Sequence, residues 1–127
     1  MFEFPEDFYS DVRIERIYRS LVRIEMGKLE EVKEKSDSGA FIRLYDGKRW
    51  YYASTTDTAS IDQELAQLAR LADKPDEQAI SRLTSRMEKN LGDFCRFADQ
   101  SVAKTGLKEK ISLLESYAGL VQNDQEI

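Results

Sequence analysis

AFIRLYDGKRWYYAS, residues 40–54, is the most informative stretch of this 127-residue chain. Asp46-Gly47 at its centre is the strongest signal for a tight hairpin turn that the chain contains. Before this turn, aliphatic residues occupy every second position, as in a strand with one buried face. The return strand covers residues 49–54. The stretch therefore predicts two antiparallel strands joined by a tight turn. The alternate aliphatic positions are Ala40, Ile42 and Leu44.

The N-terminal part of the chain predicts two further strands. Between residues 11 and 27 one parity is mainly apolar and the other mainly charged, which is typical of a half-buried strand. Gly27 predicts a turn, because glycine tolerates the positive φ of tight hairpins. Residues 29–35 predict a charged strand near a sheet edge, and Ser-Asp-Ser-Gly at residues 36–39 predicts a second turn. With residues 40–54 this makes an antiparallel four-stranded meander.

The apolar spacing becomes helical after residue 60. Ser60 with Gln63 predicts a capping box, and the helical stripe ends before Lys74-Pro75, since proline does not continue a helix. This stripe is expected to pack on the buried face of the sheet. We therefore predict an α+β fold with helices packed on one face of the sheet.

The second half of the chain is open to two interpretations. Ile80, Leu83, Met87 and Leu91 fit a helical stripe, but the same stretch also fits an extended, charged connection. Residues 92–97 alternate as in a short strand, and Thr105 predicts the cap of a last helix. We accordingly assign residues 1–75 to the sheet and first helix. Residues 76–127 form a connecting segment and C-terminal helix of the same domain.

Histidine is absent from the 127 residues, and this excludes several kinds of chemistry within them. Without imidazole there is no His-containing zinc motif and no Ser–His or Cys–His nucleophile pair. The one cysteine, Cys95, excludes an internal disulfide and a CxxC metal motif. Because no base accompanies Cys95, we expect a buried structural thiol. The residues themselves predict no catalytic and no metal-binding residue.

Charge and hydropathy limit the partners and the compartment. Lys+Arg 19 against Asp+Glu 24 gives a net charge of −5, which disfavours nucleic acid as a partner. No apolar run approaches the roughly 18 residues of a membrane span. The acidic N-terminus lacks the features of a signal peptide, and one unpaired thiol fits a reducing compartment. We expect a cytoplasmic protein that binds no membrane.

Trp50-Tyr51-Tyr52, with Tyr45 opposite, forms the most concentrated aromatic region of the sequence. A strand of this kind can stack nucleobases, but few basic residues interleave it, so we favour packing in a core and an interface. The polar residues from Ser54 onward end the strand and direct the chain into the helix, because such side chains bond local backbone groups.

Four short segments, in this order and spacing, resemble the N-terminal domain of the TldD/PmbA family. They are GKLEEV at residues 27–32, SGAFIR at 38–43, DGKRW at 46–50 and ASTTD at 53–57. The resemblance extends from about residue 11 to residue 72, with a weaker echo, KEKISLL, at residues 108–114. A leading helix, longer in the family, is shortened here to about residues 3–10. The strand RWYYAST is more similar to the TldD side of the family than to the PmbA side.

This resemblance implies a function for a longer protein. The family consists of zinc metallopeptidases, also labelled modulators of DNA gyrase, whose zinc is held by a downstream His-Glu-x-x-x-His helix. The chain would then be a non-catalytic N-terminal domain, inactive alone, with no cofactor of its own. Its partners would be a second subunit, in a homo- or heterodimer, and unfolded peptide cut in an enclosed cavity. The candidate substrate or partner surface is Tyr45, Arg49, Trp50, Tyr52, Ser54 and Thr55.

Two other functions stay open. The chain fits a stand-alone protein-interaction module without enzymatic activity, which would bind a partner through its sheet edge or its aromatic strand. Binding to nucleic acid or to gyrase is disfavoured by the negative net charge.

Overall fold

The computed structural model describes the backbone of residues 1–89 and 91–125 and the side chains of these residues up to Val121. The described residues form an α+β fold with one antiparallel sheet of order β1-β2-β3. The strands are β1 (Tyr9–Glu25), β2 (Lys28–Tyr45) and β3 (Trp50–Thr55), and the helices are α1 (Ile61–Leu71), α2 (Glu77–Thr84) and α3 (Leu107–Gln125). No helix in these parts of the chain is both long and apolar enough to span a membrane.

The sheet has three strands in the described residues, where the sequence predicts four. Residues 28–45 form one continuous strand, so the turn predicted at residues 36–39 is wrong. The Asp37 carboxylate pairs with Arg19 and with Lys35, and Gly39 does not adopt the positive φ found at Gly27 and Gly47. The pairing of β2 with β1 keeps these turn-forming residues in a strand, and the exposed ion pairs add at most about 1 kcal/mol.

Met26 and Gly27 form the turn between β1 and β2, as predicted from Gly27. Their φ angles are 50° and 75°. Positive φ at both central residues is the signature of a type I′ turn, whose twist matches that of the flanking strands. Residues 3–8 precede β1 without helical structure, so the shortened leading helix is wrong.

The chain divides into two compact units. The first consists of Met1–Arg16 and Ser38–Leu91, and the second of Ile17–Asp37 with the residues from Gly92 onward. The core of the first unit combines alternate residues of β2 with the apolar stripe of α1. Burying each large aliphatic side chain contributes roughly 1.5–3 kcal/mol. The buried core residues are Ala40, Ile42, Leu44, Ile61, Leu65 and Leu68.

The beginning of α1 is stabilised by a residue other than the predicted one. Ser60 stands at the N-cap position, but its side chain makes no capping hydrogen bond. Its hydroxyl instead donates to the carbonyl of Asp57 at 2.8 Å, and the Asp57 carboxylate accepts from the N–H of Ala59 at 3.0 Å. Asp57 therefore caps a short 3-10 turn that leads into α1, and the capping box is wrong.

In the second unit no described side chain is fully buried. The Lys110 ammonium of α3 donates to the Ser20 hydroxyl at 2.8 Å and lies 4.9 Å from the centre of the Tyr18 ring. Arg23 pairs with Glu31 across the hairpin. The Lys110 contacts join α3 to β1, and the Arg23–Glu31 pair joins the two strands of the hairpin.

Residues 76–127 follow the prediction in part. The helical interpretation is right for Ile80 and Leu83, which lie in α2, but the helix ends at Thr84. Residues 92–97 are irregular, so the short strand is wrong, and Cys95 is exposed rather than buried. A last helix is confirmed, although it begins at Leu107. Asn90, Glu126 and Ile127, which belong to the predicted second segment, lie outside the described residues.

Candidate functional site

The six residues of the predicted partner surface do not lie together. In the pairing of β2 with β3, Tyr45 is opposite Trp50, Arg43 opposite Tyr52 and Phe41 opposite Ser54. Directly paired residues share a face of the sheet, and this face is the one opposite the buried aliphatic residues of β2. Tyr45, Trp50, Tyr52 and Ser54 therefore share one face, which we call the aromatic face. Arg49 precedes β3 in the turn.

Thr55 lies on the core side of the sheet, because it pairs with the buried Ala40. Its hydroxyl accepts from the N–H of Asp57 at 3.0 Å and lies 3.3 Å from the hydroxyl of Ser60. These contacts are those expected of a side chain that directs the chain from β3 into α1.

Two ring stacks occupy the aromatic face. The rings of Tyr45 and Trp50 are stacked at 4.7 Å, and Tyr9 of β1 meets Trp50 edge-on at 5.9 Å. Phe41 and Tyr52 form the second stack at 5.7 Å. Tyr52 is 57% exposed and Phe41 43%, so the second stack is open to solvent in this chain. Aromatic pairs of this geometry contribute about 0.5–1.5 kcal/mol beyond their buried area.

Arg43 lies between the two stacks and is held by a carboxylate. Its guanidinium donates from Nη2 to Asp11 Oδ2 at 2.6 Å and from Nε to Oδ1 at 3.0 Å. The same guanidinium is 4.6 Å from the centre of the Trp50 ring. Because its charge is matched by Asp11, Arg43 is not a free cation for a phosphate. This geometry removes a basic residue that a nucleobase-stacking surface needs.

The ionisation of this cluster follows from its contacts. Burial raises the pKa of Asp11, but the hydrogen bonds from Arg43 and Tyr9 outweigh it and hold that pKa below its ordinary value. Burial, together with the neighbouring Asp11 carboxylate, raises the pKa of the Tyr9 hydroxyl. Asp11 is therefore ionised and Tyr9 neutral at pH 7. The cluster is a matched ion pair without a free acid or base.

The turn between β2 and β3 is built around the Asp46 carboxylate, which is fully buried. Oδ1 accepts from the N–H groups of Lys48 and Arg49 at 2.8 and 2.7 Å. Oδ2 accepts from the Tyr51 hydroxyl at 3.0 Å and from the N–H of Asp73 at 3.3 Å. Burial raises the pKa of Asp46, but these hydrogen bonds outweigh it and lower that pKa. The group is a structural anion.

The same turn is in contact with the residue that begins α2. The N–H of Asp76 donates to the carbonyl of Asp46 at 2.8 Å, and the Asp76 carboxylate caps α2 through the N–H of Ala79. Gly47 has a φ of +100°, and a Cβ added there would lie 2.7 Å from the Cβ of Asp76. The turn therefore requires glycine for two reasons, its backbone conformation and the close approach of Asp76.

Sequence reasoning missed the burial of Asp46 and the four residues that join the predicted ones at the aromatic face, which are Tyr9, Asp11, Phe41 and Arg43. Asp11 and Arg43 are 32 positions apart, so only the pairing of β1 with β2 brings them together. The hairpin signal at Asp46-Gly47 located the turn, but the partners Asp73 and Asp76 come from beyond α1. A single sequence carries no local signal for these contacts.

No three His, Cys, Asp or Glu side chains within residues 1–89 and 91–121 are arranged to hold a metal ion. The carboxylates of Asp46 and Asp76 already direct oxygens at N–H or O–H donors. The described side chains therefore do not fit a zinc site.

The fold and its aromatic face define a small α+β domain with an exposed sheet surface. Residues 10–74 match the family model for PmbA/TldA metallopeptidase domain 1, which covers just over half of the 127 residues. The chain belongs to the PmbA/TldD family, as the ordered segments predict. The match does not distinguish the TldD type from the PmbA type. Comparison with curated proteins and with solved structures finds no match.

Proposed function

We propose that this chain is the non-catalytic N-terminal domain of a PmbA/TldD-type zinc metallopeptidase of the cytoplasm. In this role it helps to form the subunit dimer and walls the cavity in which peptide is cut. The observation that carries the proposal is the match of residues 10–74 to the first domain of that family. The zinc and its ligands belong to a segment downstream of this domain.

The composition supports a non-catalytic role for these residues. They contain no histidine, the residue type on which the family's His-Glu-x-x-x-His zinc helix depends. The purified 127-residue chain is expected to bind no stoichiometric zinc and to cleave no unfolded peptide. Elemental analysis of the metal content, with a casein-digestion assay beside it, tests this expectation. One tightly bound zinc per chain would contradict it.

The aromatic face supports the part of the proposal that concerns the cavity wall and the dimer. It combines the exposed rings of Tyr52 and Phe41 with a charge-matched Arg43–Asp11 pair. Aromatic residues and arginine are enriched in the buried centres of protein interfaces, whereas free charges are depleted there. A surface of this composition suits contact with polypeptide better than contact with a phosphate backbone.

An independent interaction module is the second candidate, and the exposed rings of the aromatic face favour it equally. The two functions differ in the partner that residues 1–127 retain. A pull-down with this chain, identified by mass spectrometry, is expected to recover a PmbA/TldD subunit if the first proposal holds. Specific recovery of an unrelated protein, with no such subunit, would favour the module.

The family is also labelled a modulator of DNA gyrase, but we do not propose that this domain contacts DNA directly. The net charge of −5 opposes binding to a duplex. Duplex binding that weakens steeply with added salt would restore that possibility, and a gel-shift titration at two salt concentrations measures it.

A further inference from the structure

A cluster of three polar side chains joins β1 to α3 in the second compact unit, and the proposed function has not used it. The Lys110 ammonium donates to the Ser20 hydroxyl at 2.8 Å and to the Tyr18 hydroxyl at 3.3 Å. It also lies 4.9 Å from the centre of the Tyr18 ring. Tyr18 and Ser20 are two positions apart on β1, so their side chains emerge on the same face of the strand. We call these three residues the hydroxyl–lysine cluster.

The charge of this cluster is not matched by a carboxylate in the described part of the chain. Arg19, Arg23 and Arg43 each pair with an aspartate or a glutamate there, whereas no described carboxylate forms an ion pair with Lys110. The positions from which a helical carboxylate would pair with Lys110 lie three or four residues away, and all of them are neutral. They are Gly106, Leu107, Leu113 and Leu114.

The hydrogen-bond donors of the cluster outnumber its partners. An ammonium has three donors and no acceptor, so the oxygens of Ser20 and Tyr18 must accept from Lys110. Each hydroxyl then keeps its own hydrogen as a donor, and the ammonium keeps a third N–H. The three residues are partly exposed, so a small ligand can reach them from solvent. The cluster therefore offers three donors and one positive charge to an anion.

A terminal phosphate group matches this set of donors better than a carboxylate does. A phosphate monoester carries about −1.5 to −2 charges at pH 7 and has three acceptor oxygens, so each donor of the cluster can bond an oxygen of its own. A carboxylate carries one charge and has two oxygens. Lysine is a common phosphate ligand, because its ammonium is a compact point charge.

We propose that Tyr18, Ser20 and Lys110 form a binding site for a terminal phosphate group, either free phosphate or the phosphate monoester of a small molecule. The ammonium supplies the charge, and the two hydroxyls supply further hydrogen bonds. The ligand contacts two residues of β1 and one of α3, so its binding also holds α3 on the hairpin. This site goes beyond the proposed function, because neither zinc nor a peptide takes part in it.

The test is an NMR titration of the isotopically labelled 127-residue chain with sodium phosphate at pH 7. The ionic strength is kept constant, because salt screens exposed charges. Saturable chemical-shift changes are expected at the amides of Ser20 and Lys110. Sodium acetate is expected to bind about tenfold more weakly, since it offers one oxygen fewer and less charge. Absence of a saturable change at these amides, or equal affinity for phosphate and acetate, would overturn the proposal.

Glycerol 3-phosphate in the same titration distinguishes the two sources of the phosphate group. Tighter binding than that of inorganic phosphate assigns the site to a monoester, and weaker binding assigns it to free phosphate. Both results support the site, provided that the amides of Ser20 and Lys110 saturate.

Two variants of α3 test the role of the ammonium. Lys110→Gln removes the charge of the cluster and is expected to weaken phosphate binding about tenfold or more. Lys108→Gln is the matched control, because it removes an exposed lysine of the same helix, and it is expected to leave the affinity unchanged. Equal affinities of K110Q and K108Q would show an adventitious ion only, which responds to the net charge of the chain, and would overturn the site.

Tyr18→Phe keeps the test decisive if K110Q loosens α3. This variant retains Lys110 and the aromatic ring beneath its ammonium, and it removes one hydroxyl. We expect Y18F to bind phosphate about tenfold more weakly than the unmodified chain. An unchanged affinity in Y18F would show that the hydroxyl does not contact the ligand and would contradict the site with three donors.

Discussion

The Asp46 carboxylate connects three parts of the first unit through its hydrogen bonds. It accepts from the turn at Lys48 and Arg49, from β3 at Tyr51 and from the segment after α1 at Asp73. A buried donor that loses its acceptor costs about 1–3 kcal/mol. Asp46, a charged residue inside the protein, therefore stabilises the β2–β3 turn.

Asp46→Asn is expected to lower the free energy of unfolding by about 1–3 kcal/mol at pH 7, measured by urea denaturation. An asparagine keeps one acceptor oxygen for Lys48 and Arg49, but its NH₂ group cannot accept from the N–H of Asp73. Glu34→Gln, which neutralises an exposed carboxylate, is the control and is expected to change stability by less than about 0.5 kcal/mol. Equal stability of D46N and E34Q would refute this role of Asp46.

The pH dependence of stability follows from the same carboxylate and from Asp11. Their pKa values in the folded state lie below the ordinary value, which is about 3.9 for an aspartate. Their contribution is therefore complete above that value and is lost as the pH falls through the folded-state pKa values. We expect the free energy of unfolding to fall steeply below about pH 4 in the unmodified chain, and less steeply in D46N. Parallel curves for the two proteins would contradict this.

Gly47→Ala and Gly119→Ala are expected to change stability in opposite directions. At Gly47 a side chain meets a φ of +100° and the Cβ of Asp76 at 2.7 Å, so alanine should cost at least about 1–3 kcal/mol. Gly119 lies in α3 with nothing within 4 Å of the added Cβ, so alanine should stabilise the helix by about 0.5–1 kcal/mol. Thermal unfolding measures both. A similar loss of stability in both variants would show that neither the backbone conformation of Gly47 nor its close contact with Asp76 distinguishes it from Gly119.

At the scale of secondary-structure elements, the best-predicted parts are those with local signals. The hairpin of β2 and β3 follows from alternation and from Asp46-Gly47, and α1 follows from its apolar stripe and Lys74-Pro75. The predicted turn at residues 36–39 is wrong because β2 pairs with β1, a contact between residues distant in sequence. Cys95 was expected to be buried because free cysteine usually is, but residues 92–97 form no element that could cover it.

Met26→Asn is expected to stabilise the tip of the β1–β2 hairpin. Met26 has a φ of 50°, a conformation that costs most L-residues about 1–2 kcal/mol but that asparagine adopts readily. The type I′ turn favours Asn-Gly for the same reason. Hydrogen exchange of the strand amides next to the turn should slow in M26N and stay unchanged in M26A, which keeps a Cβ without the amide. Equal exchange rates in M26N and M26A would show that the positive φ of residue 26 does not limit the stability of the hairpin tip.

At the scale of the whole molecule, the family was predictable from the order of four short segments, whereas the arrangement of the candidate site was not. The aromatic residues were visible in the sequence, but their faces depend on the register of β3 against β2. That register separates Thr55 from Tyr45, Trp50, Tyr52 and Ser54, and it adds Phe41 and Arg43 to them. The division of the long hairpin between two compact units has no local signal, since β1 and β2 continue through both.

The chain belongs to the family, and its 127 residues contain no histidine. These two facts together lead to one prediction about the gene. If these residues are the non-catalytic first domain of a metallopeptidase, the zinc ligands are encoded further along the same reading frame. Sequencing the gene beyond the codon for Ile127 tests this claim most directly. We predict an uninterrupted frame that reaches a His-Glu-x-x-x-His segment. A stop codon immediately after Ile127 would contradict it and would favour the stand-alone interaction module.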